Sequence, residues 1–254
     1  MKKITAAVLC IALLFSFASC GINGHEVKKL DIDLEKGSLG GLRLGMSVDE
    51  AKASGVFDAD KLQIIYGEGV LPFDMAYVNS GEGITVLGED SALEMFIIDG
   101  KLSAVTYDLN MDMTGKVSDF SEREEFFTGK AGLITSALKD SLGEPAFYNS
   151  GGIKGSVYPG DDDNEAIVQI VYFVKDGKLL SKDDLRGTGL SAHYAQTDFD
   201  FAIASMLTKS FIASEESLAT RSDAGIITLQ IASKQALQQT QSVIDSQLSD
   251  KQNK

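Results

Sequence analysis

The stretch Leu-Glu-Met-Phe-Ile-Ile-Asp-Gly-Lys-Leu-Ser-Ala-Val-Thr-Tyr-Asp-Leu, residues 93–109, decides the fold. Two apolar runs flank the pair Asp99-Gly100. An Asp-Gly pair between two such runs is the strongest short-range signal of a β-hairpin, because both turn positions need positive φ. We therefore predict two antiparallel strands, over residues 93–98 and 102–109.

The hairpin motif occurs twice. Phe-x-x-Asp-Gly-Lys-Leu covers residues 96–102 and again residues 173–179. Each copy follows a helix signal that ends in glycine. The first helix, over residues 48–54, opens with the capping box Ser47 and Glu50, and the second covers residues 130–142. One shared motif is also compatible with chance reuse of good turn chemistry, but the common order of helix, strands and hairpin favours duplication.

The remaining patterns complete an α+β fold. Short runs rich in β-branched and aromatic residues predict strands at residues 61–66, 73–78, 84–87, 166–174 and 226–231. Residues 111–125 lack a period and are interpreted as a linker, and residues 202–219 fit a helix. We expect two helix-on-antiparallel-sheet modules, at residues 38–112 and 128–232, followed by a C-terminal helix and tail at residues 233–254.

The N-terminus has the layout of a secretory signal. Lys2 and Lys3 precede an apolar run that is shorter than the roughly 18 to 20 residues of a spanning helix. The following order Phe17-Ala18-Ser19-Cys20 resembles the bacterial lipobox, which implies cleavage after residues 1–19 and a lipid-modified Cys20. Residues 20–37 would then form a lipidated tether. The alternatives are ordinary secretion as a soluble protein and a retained anchor helix.

A second resemblance concerns the modules. The helix start Leu44-Gly45-Met46-Ser47-x-x-Glu50, the helix end Leu142-Gly143-Glu144-Pro145 and the Asp-Gly-Lys-Leu turns look like the small α/β modules of the BamE/SmpA lipoproteins. They are also similar to the tandem repeats of β-lactamase-inhibitor-like proteins. This resemblance implies a helix layer on an antiparallel sheet, twice, no catalytic site, and binding of another protein through a sheet face.

Composition excludes several classes of function. The chain has 37 acidic and 23 basic residues and a formal charge of −14, and loss of Lys2 and Lys3 with the signal makes the charge two units more negative. Such a surface repels phosphate backbones, so nucleic acid is not an expected partner. The two cysteines are Cys10, inside the signal, and Cys20. We therefore expect no disulfide, no zinc cluster and no cofactor.

Three motifs could carry chemistry. His193, with Ser191 two residues away, would lie on one strand face if the segment were extended, and could serve a hydrolase. Ser136 and Lys139 match the Ser-x-x-Lys pattern of penicillin-interacting enzymes, without its companion motifs. The acidic run at residues 161–165 could make a loose surface Ca²⁺ contact but lacks the residues of an EF-hand. For each, a structural role is the simpler interpretation.

The sequence thus favours a lipid-anchored bacterial cell-envelope protein that acts as a non-catalytic binding or assembly module. Its expected partners are a membrane, through lipid on Cys20, and another envelope protein. The four tyrosines in or near predicted strands and loops could serve an interface: Tyr66, Tyr77, Tyr148 and Tyr158. The alternatives are an exported hydrolase built around His193 and a small-ligand carrier with an enclosed apolar cavity.

Overall fold

The structure is a computed structural model that describes residues 25–27, 30–68, 71–112, 120–149, 164–210 and 223–252. It shows an α+β fold with a large antiparallel sheet, few helices and a C-terminal helix, as the sequence predicts at this level. Residues 1–24, which include the predicted signal and Cys20, lie outside the described residues, as do residues 161–163 and Tyr158.

The described chain contains fourteen strands and four α-helices. The strands are β1 His25–Val27, β2 Ile32–Asp33, β3 Ser38–Leu39, β4 Leu42–Arg43, β5 Gln63–Ile65, β6 Asp74–Val78, β7 Ile84–Val86, β8 Glu89–Ile98, β9 Lys101–Asp112, β10 Phe147–Asn149, β11 Asn164–Lys175, β12 Lys178–Leu179, β13 Phe201–Ser210 and β14 Asp223–Ser233. The helices are α1 Val48–Ala53, α2 Phe120–Leu142, α3 Leu190–Gln196 and α4 Lys234–Gln252. Short 3₁₀ helices occur at Ala59–Lys61 and Lys182–Asp184.

One sheet runs through both predicted modules. Its main path is β1-β7-β8-β9-β14-β13-β11-β10; β6 also pairs with β8, β5 with β6, and β12 with β11. Every pairing within it is antiparallel except that of β1 with β7. The pairing of β9 with β14 joins the strands of the first predicted module to those of the second, and it places Tyr107 opposite Leu229. A separate small sheet consists of β2, β3 and β4.

The predicted hairpin at Asp99-Gly100 is confirmed. Both residues have positive φ, 52° and 73°, and the turn joins β8 to β9. The second copy of the motif, at Asp176-Gly177, also has positive φ, but it joins the long strand β11 to the two-residue strand β12. The two copies therefore close different kinds of hairpin within the sheet.

The predicted helix after Ser47 is confirmed as α1. The Ser47 hydroxyl accepts the amide of Glu50 at 3.2 Å, and the Glu50 carboxylate accepts the amide of Ser47 at 2.7 Å. These reciprocal bonds satisfy amides that the first turn of a helix leaves free. Gly55, with φ of 74°, follows the helix and turns the chain away.

The second predicted helix is longer than expected. The sequence interpretation placed a linker at residues 111–125, whereas β9 continues to Asp112 and α2 already begins at Phe120. The predicted end at Leu142 is correct, and Gly143 follows with φ of 81°. Ile134 and Leu138 are buried and place α2 against the main core.

The helix predicted for residues 202–219 is wrong where the structure describes it, because residues 201–210 form strand β13. Phe201, Ala202 and Ile203 are all buried, since β13 lies inside the sheet and its first residues have protein on both faces. A strand buried on both faces loses the alternation of apolar and polar residues, so its sequence can imitate a helix.

The sheet has an inner and an outer face. The inner face is apolar and carries the main core, into which Leu39, Leu42 and Ala51 of the small sheet and α1 also pack. The turn at Gly40 fits tightly over the core, because a Cβ there would lie 2.6 Å from the Tyr107 hydroxyl. The outer face is apolar at one end only, where Ala236 of α4 packs against Ala104 and Ala232.

The predicted C-terminal helix is confirmed as α4, and its first turns dock on its own domain. The Lys234 ammonium donates to the Thr197 carbonyl at 2.6 Å, and the Gln238 amide donates to the Tyr194 carbonyl at 3.2 Å. Leu237 packs between two apolar clusters, one with Phe73 and one with Phe173. The helix therefore crosses the outer face after leaving β14.

Candidate functional site

Beyond its apolar end, the outer face of the sheet carries polar side chains on four neighbouring strands. The strand register aligns Tyr77, Glu94, Thr106 and Gln230 in one row and Asp108 and Thr228 in the next. We call this set the outer polar strip: Tyr77, Glu94, Thr106, Asp108, Thr228 and Gln230. Thr106 is buried and the other five are half-buried, so the strip remains partly open to contact.

Hydrogen bonds between neighbouring strands hold the strip. The Gln230 amide donates to the Thr106 hydroxyl at 2.9 Å, and the Thr228 hydroxyl donates to Asp108 Oδ1 at 3.0 Å. At the edge, the Tyr77 hydroxyl donates to Gln63 Oε1 at 2.6 Å. Each of these bonds joins two different strands and so fixes one pair of side chains on this face of the sheet.

Glu94 and Asp108 are diagonal neighbours on this face, because Glu94 lies opposite Thr106. Burial, together with the smaller effect of the nearby Asp108 carboxylate, raises the pKa of Glu94 to about 8. Burial also raises the pKa of Asp108, while the hydrogen bond from Thr228 opposes that shift. Two carboxyl groups in one poorly hydrated place favour protonation. The pair is therefore suited to donate as well as accept hydrogen bonds near neutral pH.

An aromatic cluster lies between α3 and the outer face. Phe173 contacts Phe199 edge-on at a centroid distance of 5.0 Å, and Tyr194 lies 5.9 Å from Phe173. Burial of the Tyr194 hydroxyl raises its pKa above the ordinary value. The cluster anchors α3 and the start of α4, and so limits the open part of the face to the outer polar strip and its surroundings.

Within the described structure, His193 does not form the hydrolase site that was the alternative to a non-catalytic function. It lies on α3, not on a strand, and residues two apart on a helix point to different sides. Its Nδ1 lies 2.9 Å from the Arg186 carbonyl oxygen, and its ring packs edge-on against Phe147. The Ser191 hydroxyl instead donates to Gln241 Oε1 at 3.2 Å. Among described residues, neither serine nor carboxylate is hydrogen-bonded to His193.

Ser136 and Lys139 are both on α2, and the contacts of Lys139 are structural. Its ammonium lies 3.0 Å from Glu144 Oε2 and 5.8 Å from the centre of the Tyr148 ring. Ser136 is exposed on the same helix. Lys139 thus forms an ion pair at the C-terminal end of α2, where a cation also stabilises the helix through its dipole.

The acidic run at residues 161–165 is described only at its end. Asn164 and Glu165 begin β11, in register with Ser210 and Lys209 of β13. Among the residues that the structure describes, no group of three or more His, Cys, Asp or Glu side chains is placed to hold a metal ion. In the same part of the chain, no helix is both long and apolar enough to cross a membrane.

Comparison of the chain with family models, with curated proteins and with solved structures finds no match.

The outer polar strip belongs to none of the catalytic or metal-binding motifs in the sequence, although the sequence contains a signal for it. Glu94, Thr106 and Asp108 interrupt apolar strands at alternate positions, and Thr228 and Gln230 do the same in β14. Polar residues at a period of two inside strongly apolar strands indicate a polar stripe on one face. What the sequence does not contain is the pairing of β9 with β14, which brings the two sets together.

Proposed function

We propose that the protein is a lipid-anchored component of the bacterial cell envelope, exported across a membrane and held there through lipid on Cys20, and that it binds another envelope protein without catalysing a reaction. The positive start, short apolar run and small residues before Cys20 support export and acylation. Two acyl chains give stable anchoring, because each buried methylene contributes about 0.8 kcal/mol and one chain alone is marginal.

The observation that carries the binding role is the outer polar strip. It is ordered by three side-chain hydrogen bonds, lies on a rigid sheet, and is only half-buried. A protein partner can complete the hydrogen bonding of such a surface without large ordering costs. In the part of the chain that the structure describes, the ion pairs of lysine involve other carboxylates than Glu94 and Asp108. A partner that presents basic side chains or hydrogen-bond donors fits this surface. The acidic charge of the whole chain favours the same kind of partner.

The order of elements supports two related modules. If the short strands β5, β7, β10 and β12 and the helix α3 are left aside, the first segment runs α1, β6, β8, β9 and the second runs α2, β11, β13, β14. In the sheet, these strands lie in the order β6-β8-β9-β14-β13-β11, which is symmetric about the pairing of β9 with β14. A duplicated helix-and-three-strand unit accounts for this order and agrees with the resemblance to BamE/SmpA and β-lactamase-inhibitor-like modules. In that arrangement the partner surface lies where the modules meet.

Site-specific photo-crosslinking in native membranes tests the binding role. A photoreactive amino acid in place of Met206, half-buried on β13 beside Thr228, reports contacts of the outer face. The matched control is Leu133 on α2, which is 55% exposed. We expect a discrete adduct with one envelope protein from the Met206 position and none from the Leu133 position.

The same experiment with Asp108→Asn should reduce the yield of that adduct, since the change alters a partner-facing group. Adducts of equal yield from both positions, or no adduct from Met206, would contradict the proposed binding surface. Acylation is scored separately, by the partition of the protein between membrane and soluble fractions. If the protein with the photoreactive residue at position 206 is found in the soluble fraction, the proposed anchor is contradicted. The proposed binding surface is then tested by the adduct alone.

A further inference from the structure

Strand β1 ties the N-terminal tether to one edge of the sheet. His25 pairs in parallel with Ile84 of β7, and Cys20 lies five residues earlier in the chain. Because an extended chain spans at most about 3.6 Å per residue, His25 lies no more than about 18 Å from Cys20. If Cys20 carries lipid, this edge of the sheet is the part of the molecule held nearest to the bilayer.

The strand β5 lies on the same edge. Strands β6 and β7 both pair with the side of β8 that faces away from β9, and β5 and β1 add one further strand to each. Along this edge, Tyr66 is 64% exposed and Ile65 is 37% exposed. Both are among the four most exposed large apolar side chains of the described residues.

The chain over residues 62–67 contains no charged residue. Edge strands of soluble proteins are commonly protected from unwanted pairing by charges, above all by lysine. An uncharged edge that displays tyrosine and isoleucine instead has the composition of a surface at a membrane interface, where the tyrosine ring is buried among lipid headgroups and its hydroxyl stays hydrated.

We propose that the β5 edge, through Tyr66 and Ile65, rests on the surface of the bilayer that holds the acyl chains. The inference rests on the proposed acylation of Cys20 and adds an orientation to it. The lipid anchor supplies the binding energy, and the two side chains select which edge of the body faces the lipid. The outer polar strip then extends from this edge across the sheet and remains accessible to a protein partner.

The opposite edge of the sheet lies far from β1, and its exposed tyrosine has a cation beside it. Seven strand spacings separate β1 from β10, which places β10 about 34 Å further along the sheet. Tyr148 on β10 is 54% exposed, but the Lys139 ammonium lies over its ring. The two edges therefore offer the same residue type at similar exposure, one on the edge that carries β1 and one on the opposite edge.

Charge limits the contact to the uncharged part of the edge. Asp58 caps the 3₁₀ helix before β5 and Asp60 lies within it. Lys61 is paired with Glu82 at 3.0 Å, and Glu68 lies two residues after Tyr66. These carboxylates repel anionic headgroups. Contact by Tyr66 and Ile65 is accordingly shallow, and it is strongest on a zwitterionic surface.

The absence of tryptophan from the chain gives a direct test. Tyr66→Trp and Tyr148→Trp each introduce a single fluorophore at an exposed tyrosine, on opposite edges of the sheet. Each acylated full-length variant is purified from membranes and reconstituted into phosphatidylcholine vesicles, with or without lipid brominated on its acyl chains. We expect bromination to quench Tyr66→Trp by about twofold, with a blue-shifted emission, and to change Tyr148→Trp little.

Equal quenching of the two variants, stronger quenching of Tyr148→Trp, or no quenching of Tyr66→Trp would overturn the orientation. Far-UV circular dichroism confirms that each variant is folded, and both substitutions replace one exposed aromatic ring by another. Intact mass of the same samples reports the acyl groups on Cys20. An acylated but unquenched Tyr66→Trp protein refutes the orientation alone, whereas a protein without acyl groups refutes the anchor on which it rests.

Discussion

Replacement of Glu94 by glutamine should remove a pH dependence from the stability of the protein. Glu94 is half-buried beside Asp108, and its pKa is raised from an ordinary 4.5 to about 8. The folded protein therefore holds this proton more tightly than the unfolded chain does. Its contribution to stability is complete below about pH 4.5 and is lost as the pH rises towards 8.

The magnitude follows from the shift. Each pKa unit corresponds to about 1.4 kcal/mol, so full conversion of the shift would give about 5 kcal/mol between pH 4.5 and 8. Because the Glu94 side chain is partly exposed, solvent screens much of this, and we expect about 2 kcal/mol. Between pH 4.5 and 8, the free energy of unfolding should therefore fall by about 2 kcal/mol more in wild type than in Glu94→Gln.

Urea unfolding followed by far-UV circular dichroism, at pH 5, 6, 7 and 8, measures this difference directly. The control is Asp140→Asn, which removes one carboxylate from an exposed position on α2 and should keep the wild-type pH dependence. If Glu94→Gln loses stability with pH as steeply as wild type, or if wild type becomes more stable towards pH 8, the burial of this carboxyl pair is wrong.

Three further substitutions test local features by the same urea titrations. Ser47→Ala removes the cap of α1 and should cost about 1 kcal/mol; a cost near zero would show that the cap is not needed. Gly40→Ala should destabilise more than Gly55→Ala, since both have positive φ but only the first brings Cβ against the Tyr107 hydroxyl; equal costs would contradict that packing. Tyr172→Phe removes a 2.8 Å hydrogen bond to the end of α2 and should cost about 1 kcal/mol, and an unchanged midpoint would contradict it.

The features that could be predicted from sequence are those fixed by local chemistry. Asp99-Gly100 specifies a hairpin because the two residues accept positive φ wherever they occur. Ser47 and Glu50 specify the start of α1 because both partners of the capping box lie within one turn. In each case the residues that decide the structure are within four positions of one another, so no knowledge of the rest of the fold is needed.

Features set by distant contacts were beyond the sequence patterns. The start of strand β13 fits a helical pattern because both of its faces are covered. An extended segment would bring Ser191 and His193 to one strand face, but Gly189 starts α3 there instead. The repeated Phe-x-x-Asp-Gly-Lys-Leu motif likewise fixes only the local turn. Its second copy, at Asp176-Gly177, joins β11 to the two-residue strand β12, after which the chain continues to α3.

The outer polar strip combines both situations. Each half of it can be found as alternating polar residues in β8 and β9 or in β14, but the hydrogen bonds between Thr106 and Gln230 and between Asp108 and Thr228 span more than a hundred residues. Such a site depends on which strands become neighbours, and that is decided by packing of the whole sheet. The proposed lipid anchor is the converse case, since acylation of Cys20 is inferred from its immediate neighbours alone.

The most direct test of the account is the intact mass of the protein purified from native membranes, together with its N-terminal sequence. We expect a chain that begins at Cys20 and carries a diacylglyceryl group on the cysteine sulfur. A chain with no acyl group, or one that begins at another residue, would contradict the proposal that this protein acts as a lipid-anchored binding module of the cell envelope.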